Sequence, residues 1–261
     1  MELINIKKSI LHMMHYSKSS HIGSCLSIVE ILYVLYYKIM YVTPDDPNNI
    51  NRDYFILSKA HASAALYATL AEKGFFPKDY LDSYYVDEGK LPGHLDKLIV
   101  PGIETSGGSL GHGLSIGCGI SYGLKTDNKK NKVFVLIGDG ECNEGSIWES
   151  IMFASTHNLS NLTAIIDYNN LQSFGRTNQV INQENLLKRI ESFGWDTYEV
   201  NGHDIIELQN VLKVNSSIPK MVIAKTIKGH SISFMENKLG WHYKSPNDEE
   251  YLMAIKELEK E

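Results

Sequence analysis

Apolar residues recur along this chain in two rhythms. Periods near 3.6 predict helices over 3–17, 24–40, 62–73, 110–125, 141–155, 185–193, 205–214 and the charged tail 247–261. The 24–40 stretch is apolar almost all round, so it reads as a buried helix. The 62–73 helix stops at Gly74, a residue suited to the left-handed turn that ends a helix. Short continuous apolar runs predict strands at 54–57, 133–137, 162–166, 196–200 and 221–225. Residues 75–109 show little periodicity. Strands alternating with helices predict an α/β fold, a parallel sheet with helices on both faces, in one domain spanning 1–261.

Two of the strands end in residues that bear chemistry. Val133–Ile137 runs into Gly138-Asp139-Gly140, and Leu162–Ile166 runs into Asp167-Tyr168-Asn169-Asn170. Adjacent parallel strands would bring Asp139 and Asn169 to one carboxyl edge, where open α/β sheets bind ligands. A carboxylate and an amide oxygen are hard donors suited to Mg²⁺ (or Ca²⁺ or Mn²⁺ in its place) holding a diphosphate. Gly138 and Gly140 would let a phosphate approach the backbone, and the 141–155 helix would present free amides to it. Gly-Asp-Gly alone is a common turn; the two strand ends taken together are more specific. A nicotinamide fingerprint fits worse, because the next glycine after Gly140 is Gly145 and the Gly-x-Gly-x-x-Gly spacing fails.

Composition narrows the class. The chain is 43% hydrophobic and carries a net charge of −6, which offers no basic footprint for nucleic acid. Of 25 basic residues only Arg52, Arg176 and Arg189 are arginines, thin equipment for bidentate phosphate capture. Three scattered cysteines without Cys-x-x-Cys spacing read as free thiols in a reducing compartment. No signal peptide or membrane-length apolar run is visible, so a cytoplasmic location is expected and no membrane partner.

The ten histidines divide unevenly. His12, His15, His157 and His203 fit surface roles on helices or loops. His112 lies in the glycine-rich 110–125 segment and His230 in a loop, and no pair has zinc spacing. His21, His61, His94 and His242 each sit in a loop beside small residues, near the end of an element. Taken singly, each fits a structural role; together they point to a polar pocket with several proton carriers, suited to polyol chemistry.

With those residues laid out, the chain resembles the N-terminal half of transketolase, from the first helix to about Pro246. The resemblance is carried by Ser20-His21-Ile22-Gly23, Leu57-Ser58-Lys59-Ala60-His61, Leu91-Pro92-Gly93-His94 and Gly108-Ser109-Leu110-Gly111-His112-Gly113. It continues through Gly138-Asp139-Gly140-Glu141-x-x-Glu144-Gly145, Asp167-Tyr168-Asn169-Asn170-Leu171, Lys225-Thr226-Ile227-Lys228-Gly229 and Trp241-His242. It implies a thiamine-diphosphate-binding fold and transfer of a two-carbon ketol unit from a ketose to an aldose, with phosphorylated pentoses the family default and sulfonated or deoxy sugars open. Asp139, the Asn169 side chain and the Leu171 carbonyl would hold Mg²⁺. The diphosphate would lie against Gly138–Gly140, with His61, Lys228 and His242 nearby. Gly108 and Leu110 would line the cofactor between its rings. His21, His94 and His242 would face the sugar hydroxyls, and Glu144 would join a carboxylate network between two cofactor sites.

The match has departures. Ala60, Ser109, Tyr243 and Ile22 replace residues usual in the family; none removes a catalytic side chain, and Ala60 and Tyr243 bear on the pocket mouth. The chain also ends where a full transketolase continues into its pyrimidine-binding and C-terminal domains. The resemblance therefore implies one subunit of a split enzyme, working with a separate C-terminal subunit in an α₂β₂ assembly. Two alternatives stand beside it. One is a subunit of another thiamine-diphosphate enzyme, of the 2-oxoacid dehydrogenase or deoxyxylulose-phosphate synthase kind. The other is a non-catalytic cofactor-binding subunit.

Overall fold

A computed structural model describes residues 1–260. Five strands form one parallel sheet: β1 (Tyr54–Leu57), β2 (Val133–Gly138), β3 (Leu162–Tyr168), β4 (Asp196–Asn201) and β5 (Lys220–Lys225), in the order β1-β2-β3-β5-β4. The register pairs Gly138 with Asp167 and Tyr168 with Lys225, so β2, β3 and β5 end side by side at the carboxyl edge.

The strands read as unbroken apolar runs because both faces are covered. Leu57, Phe134, Leu136, Ile165 and Val222 face one core; Ile56, Val135, Ile137, Ala164, Ile166 and Ile223 face the other. The helices are α1 (Glu2–Ser17), α2 (Ile22–Leu26), α3 (Val29–Val34), α4 (Ser63–Lys73), α5 (Gly113–Thr126), α6 (Gly145–Thr156), α7 (Thr177–Val180), α8 (Leu186–Ser192), α9 (Ile205–Lys213) and α10 (Asp248–Leu258). Buried residues of α1 to α4, α9 and α10 join the first core, and those of α5, α6 and α8 join the second.

The single helix expected over 24–40 is three pieces. α2 ends at Leu26, α3 begins at Val29, and a wider π turn occupies Leu35–Ile39. The break frees the Ser27 hydroxyl, which donates to the Asp167 carboxylate at 2.7 Å as well as to the Ser24 carbonyl. The helix expected from Leu110 starts instead at Gly113, because Gly111 takes a left-handed φ of 84°. Close approach explains Gly113 and Gly117, where a Cβ would lie 2.4 Å from Ser58 and from Val135. At Gly119 and Gly123 nothing among the described residues approaches. The helix expected from Glu141 is a 3-10 turn, Gly140–Asn143, followed by α6.

The tail is not simply solvated. An Asn247–Glu250 capping box starts α10, and Ala254 and Leu258 are buried. Glu261 lies outside the described residues. His15, expected at the surface, is buried: its ring stacks 4.5 Å from Tyr251, and its Nδ1 lies 3.0 Å from the Pro246 carbonyl. That ring fastens α10 to α1. No helix among the described residues is long and apolar enough to cross a membrane.

Candidate active site

The carboxyl ends of β1, β2, β3 and β5 open into a cavity of about 450 Å³. Its walls include all thirteen residues singled out from the sequence: His21, His61, His94, Gly108, Leu110, Gly138, Asp139, Gly140, Glu144, Asn169, Leu171, Lys228 and His242. Strand register explains the floor, since adjacent strand ends place Asp139 and Asn169 together.

Asp139, expected as an exposed edge carboxylate, is buried, with 3% of its surface accessible. The Gly140 N–H and the Thr177 hydroxyl donate to it at 2.7 and 2.8 Å. Burial first, and the neighbouring Asp167 second, raise its carboxyl above the usual range. Asp167 is fully buried but neutralised: Lys59 forms an ion pair with it, and Ser27, Thr226 and Asn169 donate to it. Burial opposes the Asp167 charge, yet Lys59 and these donors hold its carboxyl below the usual range. Among the described residues no ammonium is hydrogen-bonded to Asp139. The site thus holds a second, cation-poor carboxylate.

Two more oxygens stand with it. The Asn169 amide is oriented by donating to Asp167 at 3.0 Å, while its Oδ1 accepts from the Leu171 N–H at 3.0 Å. The Leu171 carbonyl accepts from Lys228 Nζ at 2.9 Å. A carboxylate, an amide oxygen and a carbonyl form the hard donor set that fits Mg²⁺. Beside them, the nearest atoms to where a Gly138 Cβ would be are those of Lys59, at 4.0 Å.

Four imidazoles ring the cavity. The His21 ring lies 5.2 Å from His61, 5.0 Å from His242 and 6.4 Å from His94. His21 holds its place with a left-handed φ of 81°, its backbone N–H donating to the His242 carbonyl at 2.8 Å. Such a φ is unfavourable for a residue with a Cβ, and it persists where surrounding contacts fix it. His94 is exposed on a pinned loop: Ser63 and Tyr84 donate to the Gly93 carbonyl, and the Gly107 N–H donates to Leu95.

Burial first, then neighbouring His94, Lys228 and Lys59, lower the His21 imidazole to about 4. Burial, then Lys228, lowers His242 to about 3, and burial, then Lys59, takes His61 well below its usual value. These rings are neutral at pH 7. Unfolded, each imidazole binds a proton near pH 6.5, so the unfolded chain takes up protons that the folded chain refuses. Stability is therefore expected to fall as pH drops from 6.5 toward 4. In thermal melts across that window, a His21→Gln/His242→Gln double variant should lose less than the wild type. Equal losses would mean these rings are not buried neutral groups.

Sequence reasoning missed several members. Lys59 and Asp167 stood inside quoted motifs without a role; a strand-final acid in an apolar run was the available signal. Glu141 is a brace: it accepts from Ser58 and from the Gly111 and Gly138 N–H groups, joining three loops. Thr177 and Gln183 support Asp139 from 38 and 44 residues away, with no local pattern to announce them. Glu144 is exposed at the N-terminus of α6, on the lip of the cavity.

Residues 4–258 match the family model of the transketolase thiamine diphosphate binding domain. The chain belongs to the transketolase family. An apulose-4-phosphate transketolase subunit from Phocaeicola vulgatus is 40% identical over 255 residues, 97% of this chain and 90% of that protein. A 6-deoxy-6-sulfo-D-fructose transketolase subunit from a Clostridium species is 39% identical over 244 residues, 92% of this chain and 89% of that protein. The crystal structure of Campylobacter jejuni transketolase superposes with a TM-score of 0.92 at 28% identity, covering 99% of this chain and 42% of that one. The transketolase fold and the transferase class expected from the motifs are thus borne out.

Proposed function

We propose that the chain is the diphosphate-binding subunit of a two-chain transketolase, transferring a two-carbon ketol unit from a ketose to an aldose. The observation that carries this is the junction of four imidazoles with a cation-poor carboxylate, an amide oxygen and a carbonyl in one cavity. Asp139, Asn169 and the Leu171 carbonyl hold Mg²⁺. Gly138–Gly140, His61 and Lys228 receive the diphosphate, and Gly108 and Leu110 line the cofactor between its rings. Bound there, thiamine diphosphate supplies the electron sink for breaking a ketose C2–C3 bond.

This chain's residues do the remainder. His21, neutral at pH 7, takes the proton from the sugar C3 hydroxyl, while His242, whose Nδ1 accepts from the Lys228 ammonium, presents its Nε2–H toward that oxygen. His94, exposed at the cavity mouth, orients the donor's terminal hydroxyls. Among the described residues no arginine lines the cavity, and Lys59 and Lys228 already hold Asp167 and Leu171. Recognition of a phosphate or sulfonate at the far end of the sugar therefore falls to the partner. Relatives that are themselves named as transketolase subunits, and that this chain matches over about nine-tenths of their length, support a second, C-terminal chain. That chain carries the pyrimidine-binding domain, in an α₂β₂ assembly whose Glu144 side chains link two cofactor sites.

The test is co-purification with the partner, followed by a screen of phosphorylated, sulfonated and deoxy ketose donors against aldose acceptors. No ketol transfer with any pair would defeat the proposal. Within an active complex, His94→Ala should mainly raise KM, because a ground-state contact is lost. His21→Ala should lower kcat on the order of 10²–10⁴-fold, because its proton moves in the transition state. Wild-type kinetics in both variants would make them surface histidines.

A further inference from the structure

Behind the cavity wall lies a second group of buried charges that the proposed reaction does not use. Lys7 of α1, Glu30 of α3, His203 of the β4–α9 loop and His230 meet there. The Lys7 ammonium stands 3.0 Å from Glu30 and donates to the Ser231 hydroxyl. The other Glu30 oxygen lies 2.9 Å from His203 Nδ1, and the His203 ring stacks on His230 at 3.6 Å. His203 was expected at the surface, but only 10% of its side chain is exposed. Burial alone would raise the Glu30 carboxyl; the His203 hydrogen bond and the Lys7 charge outweigh it and bring it down to about 2.

Ligand atoms of Glu30, His203 and His230 lie within 4.8 Å of one another, the spacing of a metal site. Two facts argue against that use. The Lys7 ammonium already supplies the cation beside Glu30. Both His203 nitrogens are also engaged, because Nε2 accepts the Ile227 backbone N–H at 2.8 Å.

That bond fixes the tautomer. A backbone N–H can only donate, so Nε2 carries the lone pair and the His203 proton sits on Nδ1, facing Glu30. It also fixes a turn. Thr226 is held by Asp167 from one side and Ile227 by His203 from the other. The next residue is Lys228, fully buried, whose stem lies 3.1 Å from where a Gly23 Cβ would be. Its ammonium reaches the Leu171 carbonyl and His242 Nδ1, both at 2.9 Å.

We propose that Glu30 and His203 form a positioning pair that fixes the Ile227–Lys228 turn and so places the Lys228 ammonium in the cofactor cavity. His203 touches neither the cavity nor its ligands; it acts through Lys228. The inference rests on the reading of that cavity as a thiamine diphosphate site. Outer partners of this kind typically change ligand affinity 10- to 100-fold.

The test uses the full chain assembled with its partner, titrated calorimetrically with thiamine diphosphate in excess Mg²⁺. His203→Asn keeps a donor near Glu30 but does not reach Ile227; it should raise Kd about tenfold, the lower end of that range. His203→Gln, whose amide reaches the Nε2 position, should stay near the wild type. In a Lys228→Met background the His203→Asn effect should vanish, since the two act as one unit. Should His203→Asn fail to fold, His203→Phe keeps the stack on His230 without an acceptor and gives the same readings. Wild-type Kd in His203→Asn, or an undiminished effect in Lys228→Met, would overturn the positioning role. A wild-type complex that binds no thiamine diphosphate would overturn the cavity reading itself.

Discussion

Purified without its partner, the chain is expected to transfer no ketol unit, and adding the partner is expected to restore turnover. The reason lies in what the cavity contains and omits. On the proposed reading its floor holds donors for a cation and a diphosphate, and its wall holds four imidazoles. Its rim is unfinished: His94, Gly108 and Glu144 are exposed there, and Phe174 presents 82% of its surface to solvent. An exposed phenyl ring beside polar catalytic groups suits contact with another chain better than contact with water. On the two-chain proposal, groups of the partner on the open side grip the sugar's far end and engage the cofactor's second ring. Ketol transfer by this chain, prepared from a host lacking the partner gene, would refute the two-chain reading.

Replacing Asp139 should be nearly as severe within the assembled enzyme. As a proposed metal ligand it should matter more than an outer partner, so Asp139→Ala is expected to cost more than about 100-fold in Mg²⁺-dependent cofactor affinity. The burial of Asp139 adds a structural cost. Alanine leaves the Thr177 hydroxyl and the Gly140 N–H without their acceptor, about 1–3 kcal/mol for each unsatisfied group. Asp139→Asn separates the two effects. Its amide oxygen still accepts from the Gly140 N–H, and its NH2 can donate to a Thr177 hydroxyl turned to accept, so it should melt closer to the wild type than the Ala variant while cofactor affinity collapses. Calorimetry finding unchanged affinity in the Asn variant would remove Asp139 from the metal site.

Much of this site was legible in the sequence because parallel strands announce themselves. An uninterrupted apolar run followed by Gly-Asp-Gly or Asp-Tyr-Asn-Asn states both the strand and its end, and register does the rest. The loop histidines were legible as a group, although no single one was. Less visible was anything that depends on a bond across the fold. The break at Ser27 has no punctuating glycine or proline, and the hydroxyl it frees reaches Asp167, 140 positions away. His203 sat in an ordinary polar loop until Glu30 and Ile227 were brought to either side of it. Asp139 looked exposed because a strand end usually is, and only the Thr177 and Gln183 contacts show it to be covered.

Asp167 carries one further implication, for the order in which the molecule is built. It gathers Ser27, Lys59, Asn169 and Thr226, so its partners span sequence separations of 140, 108, 2 and 59 residues. Contacts this distant close late, after the local helices have formed. A nascent chain still lacking β5 has β3 paired only with β2, and Asp167 without the Thr226 hydroxyl or the Lys228 turn beside it. The cofactor pocket therefore comes into being only once β5 and the turn after it have been made, and thiamine diphosphate cannot serve as an early template for folding. It meets strands already paired, and stabilises them by mass action.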